Sequence, residues 1–182
     1  MDHELIVKKT RKWIEEFVIQ YDICPFALLP YRQEKIYFQC DDAPNYESAL
    51  FSFAMYIRKL SFELGDFSNA FLIFPNWDEG FSSFLDLTEY CYFILQDMNL
   101  SDRFQLVCFH PSFYYEGESS DAVTSLTNQS PFPMIHILQV EEVSKAIHAH
   151  PNPSGIAEEN KNHLQKLEQE KIKAIRKLLI QE

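Results

Sequence analysis

The sequence predicts an α/β fold: a single domain with a small mixed, partly parallel sheet of about four strands, flanked by helices and ending in a long C-terminal helix. Three observations predict it. Four short apolar runs, IYFQC, AFLIF, FQLVCF and MIHIL, alternate with longer stretches whose apolar residues recur every three or four positions. The order is helix, then strand-helix-strand-helix-strand, then a long loop, a strand and two helices. Such alternation favours right-handed crossovers and at least three parallel strands, with the fourth free to run either way. Finally, 182 residues, 46% hydrophobic and 15% aromatic, suffice for one sizeable core. No repeat or linker divides the chain, so residues 1–182 are expected to form one domain with a charged helical tail over about 170–182.

The elements follow in order. Residues 4–21 predict a helix, with Leu5, Ile6, Trp13, Ile14, Phe17, Val18 and Tyr21 on its apolar side and Lys8, Lys9, Arg11 and Lys12 opposite. It must stop before Pro25. Ile36–Cys40 is a short strand. Residues 45 to about 64 are helical, with Gly65 a natural stop. Ala70–Phe74 has the continuous apolar character of a strand buried on both faces. Asn76 and Glu79 have capping-box spacing ahead of a helix over 79–98. Phe104–Phe109 is another buried strand, ended by His110-Pro111. A polar stretch of about twenty residues, 112–131, follows, long enough to suggest function. Met134–Leu138 is the last strand and Val140 opens a short helix. Ser154 can cap the long final helix, whose early acids (Glu158, Glu159) and late bases (Lys173, Arg176, Lys177) match its dipole.

The formal net charge of −11 disfavours nucleic acid and anionic membrane surfaces as partners. No run approaches membrane-spanning length and no apolar export signal opens the chain, so a cytoplasmic location with reduced thiols is expected. Four glycines supply neither GxGxxG nor GxxxxGK, and no nucleotide-binding loop is predicted.

Open α/β sheets bind ligands beyond the carboxyl ends of their strands. That rule selects Asp41 and Asp42 after the first strand, Asn76, Trp77 and Asp78 after the second, and His110 after the third. A strand-end histidine can be a general base or metal ligand, or can simply hold a loop turn. His136 shares a face with Met134 and Leu138 and is either a working group or a satisfied core residue. Cys24 ends a helix, whose negative terminus should raise its pKa. Cys24, His110 and His136 are the candidate catalytic residues. Were a divalent metal such as zinc bound, the same three would be its ligands. Asn128 and Ser130 of the TNQSP stretch are candidate substrate-binding groups, or parts of a polar turn.

Three separated motifs, ICPFA (23–27), FHP (109–111) and TNQSPFPMIHIL (127–138), together resemble a mainly bacterial family, domain of unknown function 1415. The resemblance runs in order from the Trp13 helix to the segment 156–160. It singles out Cys24, His110, Asn128, Ser130 and His136, and supplies no activity. Gln129 and Gln139 stand where the family usually carries arginine and are counted with the substrate-binding candidates. Arginine there would suggest a carboxylate or phosphate clamp. Glutamine keeps the hydrogen bonding and loses the charge, so an anion would have to be held elsewhere, with Arg32, Arg58 and Arg103 the other arginines outside the terminal helices. The sequence thus admits an enzyme with a His/Cys site at the sheet rim, performing metal-assisted or thiol-based hydrolysis or transfer on a small molecule. The alternative, ranked just behind it, is a non-catalytic ligand-binding or protein-interaction module with a structural His/Cys cluster, and with the C-terminal helix as a surface for a second copy.

Overall fold

The computed structural model describes residues 2–43, 45–62 and 67–180. Its centre is a four-stranded sheet of β1 (Ile36–Cys40), β2 (Asn69–Ile73), β3 (Phe104–Phe109) and β4 (Met134–Gln139), in the order β1-β2-β4-β3. β1 and β2 pair in parallel, and β4 is antiparallel to both of its neighbours. The first three strands therefore run the same way, yet only one ladder is parallel, because β4 lies between β2 and β3. The long loop explains this. It leaves the end of β3 and enters β4 at the same rim, so β4 must run back.

Register sorts the side chains by face. Phe71 of β2 lies opposite His136 of β4, which lies opposite Val107 of β3. With period-two alternation, Phe38, Phe71, Met134, His136, Val107 and Phe109 share one face, and Ala70, Leu72, Ile135, Ile137, Phe104 and Cys108 share the other. Helices α3 (Tyr46–Phe62) and α4 (Gly80–Asp97) cover the second face through Phe53, Ile57, Leu60, Phe84, Leu87 and Leu95. The first face is covered by α1 (His3–Trp13), its continuation 14–19, and two C-terminal helices. Short helix α2 (Leu28–Arg32) and α5 (Val140–Ala149) lie at the flank. Among the described residues no helix is long and apolar enough to cross a membrane.

Three expectations change. The first helix is regular only to Trp13; residues Ile14–Ile19 form a wider π-helical turn. Its apolar pairs, Trp13-Ile14 and Phe17-Val18, repeat every four residues, and a wider turn keeps both pairs buried against the sheet. The capping box at Asn76 and Glu79 does not form. Asn76 Nδ2 donates instead to Asp42 at 2.9 Å, and Glu79 accepts from Ser83 Oγ at 2.9 Å. The long last helix is two helices, α6 (Ile156–Gln165) and α7 (Gln169–Leu178), and Ser154 lies in a 3-10 turn without capping α6. The break lets α6 pack on the 3-10 turn Val123–Thr127 while α7 reaches α1. Ile172 and Ile175 of α7 are buried in this chain's own core, so the tail folds back and does not project beyond the body. The helix end expected near Leu64 and Gly65 lies outside the described residues.

Candidate functional site

A cavity of about 530 Å³ opens between the first sheet face and the elements that cover it. Its floor is Phe71, Val107, Phe109, His136 and Leu138; its walls come from Trp13, Ile14 and Val18, from the turn at Cys24, from Tyr115 and Asn128 of the long loop, and from Ile156 and Asn160 of α6. The π-helical turn thus supplies one wall. Among the described residues, no aspartate, glutamate, lysine or arginine lines the cavity. In a chain this acidic, that neutrality makes the cavity hospitable to uncharged, partly apolar matter.

His136 is the polar centre of the floor. Its ring lies flat on Phe71, with centroids 4.1 Å apart and planes 2° from parallel, and Phe109 leans against it. Nε2 is 3.1 Å from Asn69 Oδ1. An amide oxygen only accepts, so Nε2 carries the proton and Nδ1 the lone pair. Burial pulls the His136 pKa down to about 3, which keeps the ring neutral. Asn69 is itself buried and lines the cavity. Among the described residues its Nδ2 and the Nδ1 of His136 have no hydrogen-bond partner, so the couple keeps one donor and one acceptor unused. Trp13 adds an indole N–H that is buried without a partner.

Cys24 is half-buried on the same cavity wall. Its thiol pKa is raised, as expected, but burial is the main cause and Asp22 adds to it, while the amides of Phe26 and Ala27 pull the other way. A resting thiolate is therefore disfavoured.

His110 lies elsewhere. It is only 6% exposed and packs against Phe81 and Phe84 of α4, on the opposite side of the sheet. The amide of Ser112 donates to its Nδ1 at 3.0 Å, and its own amide donates to the carbonyl of Asn128 at 3.2 Å. Burial lowers its pKa to about 4. His110 thus anchors the start of the long loop. It does not join His136 and Cys24, and the three cannot form one metal site. Among the described residues no group of three His, Cys, Asp or Glu side chains could hold a metal ion.

The loop candidates divide in the same way. Asn128 lines the cavity, but its Oδ1 accepts from Tyr115 at 3.1 Å and from Thr127 at 3.1 Å. Gln129 is buried and donates to the Phe113 carbonyl at 3.0 Å. Ser130 is fully buried and donates to the Phe132 carbonyl at 2.7 Å. Gln139 donates to the Phe67 carbonyl at the far end of the sheet. The last three hold backbone and do not reach the cavity. The rim is also closed on itself, since Asp42 takes both Asn76 and His3. The cavity lies over the sheet face; of the rim residues, Asp41 borders a separate hollow of about 520 Å³ with Gln39, Arg58 and Lys59.

A model of the family described as Protein of unknown function (DUF1415) matches residues 5–174. The chain belongs to the DUF1415 family. No curated protein and no solved structure matches it. The match covers every element that builds the cavity, from Trp13 to Asn160. Within this DUF1415 member, sequence reasoning missed Asn69, Phe71, Tyr115 and the π-helical turn. Asn69 had one visible signal: a polar residue directly ahead of the apolar run AFLIF, in a strand buried throughout. Such a residue needs a partner, and His136 is the polar residue of the neighbouring strand that provides it.

Proposed function

We propose that this protein binds a small uncharged ligand in the cavity over the sheet face, with Asn69 and His136 as its polar anchor. One observation carries the reading: a neutral, largely apolar cavity lined by His136, stacked flat on Phe71, and by its partner Asn69, which between them leave one donor and one acceptor unpartnered. An uncharged amide, lactam or similar donor-acceptor edge matches that pair. The four free cysteines support a reducing, cytoplasmic setting, and the charge of −11 argues against nucleic acid and anionic membranes as partners. The apolar stripe of α7 is used within the chain, which leaves the small ligand as the favoured partner over a second copy.

The neutral fluorophore N-phenyl-1-naphthylamine tests the reading. Its emission should rise saturably with the protein, and Val107→Trp, which fills the cavity from the β3 side, should abolish the rise while far-UV circular dichroism stays unchanged. A non-saturable rise, or one that survives in the folded Val107→Trp variant, would place the dye elsewhere and remove the proposal.

A catalytic reading stands second, on the observation that Cys24 shares the cavity wall with His136. It makes Cys24 a nucleophile toward the bound ligand, in thiol-based hydrolysis or transfer. Alkylation by iodoacetamide separates the two readings. With the thiol pKa raised from 9.0, the rate at Cys24 is expected to keep climbing above pH 9, with no plateau near neutrality. A plateau near neutral pH would mean an activated thiolate and put the catalytic reading first.

A further inference from the structure

A second hollow, of about 460 Å³, lies between α2 and α5. Phe26, Asn69, Leu138 and Val143 line both it and the cavity, so the two spaces meet at a shared waist. Beyond the waist the hollow is walled by Pro25, Leu29, Pro30, Ala146 and Ala149. Its charged groups are Glu142 and Lys145, and Lys145 is held by Glu141 at 2.8 Å and Glu142 at 2.9 Å. That ammonium is already neutralised by two carboxylates, so the hollow offers no cation to a ligand acid. The edge of Phe26 meets His150, with centroids 5.9 Å apart.

The polar anchor and the apolar groove therefore adjoin across the four residues they share. Asn69, whose Nδ2 is left without a partner among the described residues, sits at the waist itself. We infer that the site takes one elongated, uncharged ligand: a planar carboxamide or lactam head held by Asn69 and His136, and an apolar chain passing Phe26 into the groove between α2 and α5. The inference rests on the cavity being a ligand site, as proposed above. It adds which end of the ligand is polar and where the chain goes. A ligand with a carboxylate at the chain end would meet Glu142 and bind worse than its uncharged counterpart.

Titration calorimetry with benzamide and 4-alkylbenzamides of increasing chain length tests it. Affinity is expected to rise roughly two- to fourfold per methylene, full burial of a methylene corresponding to about fourfold. Ala146→Trp, placed in the groove, should flatten the series. Ala149→Trp, nearer the outer end, should cut it off only for the longer chains. Circular dichroism of both variants confirms that they fold. If benzamide binds and the series is flat in the unaltered protein, the groove inference falls and the cavity proposal stands. If the rise persists in both folded variants, the chain lies elsewhere and the inference also falls. If no benzamide binds, both readings fall together.

Discussion

Lowering the pH from about 7.5 to about 5 is expected to destabilise the fold by roughly 2 kcal/mol for each of two histidines, before carboxylates titrate appreciably. His110 and His136 are responsible. Burial strips water from their rings and pulls their folded-state pKa values from 6.5 down to about 4 and about 3. Below pH 6.5 the unfolded chain takes up a proton at each ring and the folded chain does not. Their contribution is thus fully present above 6.5 and lost as pH falls toward the folded values. Each pH unit below 6.5 shifts the balance by about 1.4 kcal/mol per ring. Urea denaturation at several pH values measures the slope. His110→Gln and His136→Gln should each remove about half of it, and glutamine can still serve Ser112 or Asn69. A flat profile between pH 7 and pH 5 would mean that both rings are protonated in the fold, contrary to their burial. Glu118 and Asp121 have pKa values lowered from 4.5 and 3.8, so their titration falls below this window.

That two histidines with the same acid response have different tasks was only partly visible in the sequence. Alternation correctly placed His136 on one face with Met134 and Leu138. Alternation along β3 puts His110 on the face of Cys108, but only the pairing of β3 with β4 shows that this face is opposite the one carrying His136. His110 therefore looked like the partner of His136, when its ring packs among Phe81 and Phe84 instead. The four strands were legible because buried strands are continuous apolar runs. Their order was not, since it depends on which way a twenty-residue polar loop returns. Gln129, Ser130 and Gln139 illustrate a further limit. A polar residue in a motif can bind a ligand or hold a carbonyl, and composition does not separate the two. Here all three hold carbonyls. Cys24 and His136 were legible as candidates, while their common cavity depends on a π-helical turn and on the break between α6 and α7, both set by tertiary packing.

The largest single effect is expected at Phe71, which the sequence marks only as one apolar residue in a buried strand. Its ring lies between Phe38, stacked at 5.5 Å, and His136, stacked at 4.1 Å, while Phe109 is tilted toward it at 6.4 Å. It is 4% exposed. Phe71→Ala removes the shelf from the middle of the sheet, and such truncations cost about 3–5 kcal/mol. The loss also reaches the site. Without the ring, water from the cavity can reach His136 from below, so its pKa should move up from about 3 toward 6.5. Phe71→Leu keeps most of the volume and loses the flat contact, and should cost about 1–2 kcal/mol. It keeps the measurement interpretable should the alanine variant not fold. Chemical denaturation gives the stability change, and imidazole proton chemical shifts followed against pH give the titration of His136. A cost below about 1 kcal/mol for alanine would show that the shelf is loosely packed. An unmoved His136 titration in Phe71→Leu would show that Asn69 and the strand backbone alone fix its environment. Stability and ligand geometry are thus tied to one aromatic ring: the residue that fills the first face of the sheet is also the surface on which the polar anchor is held flat.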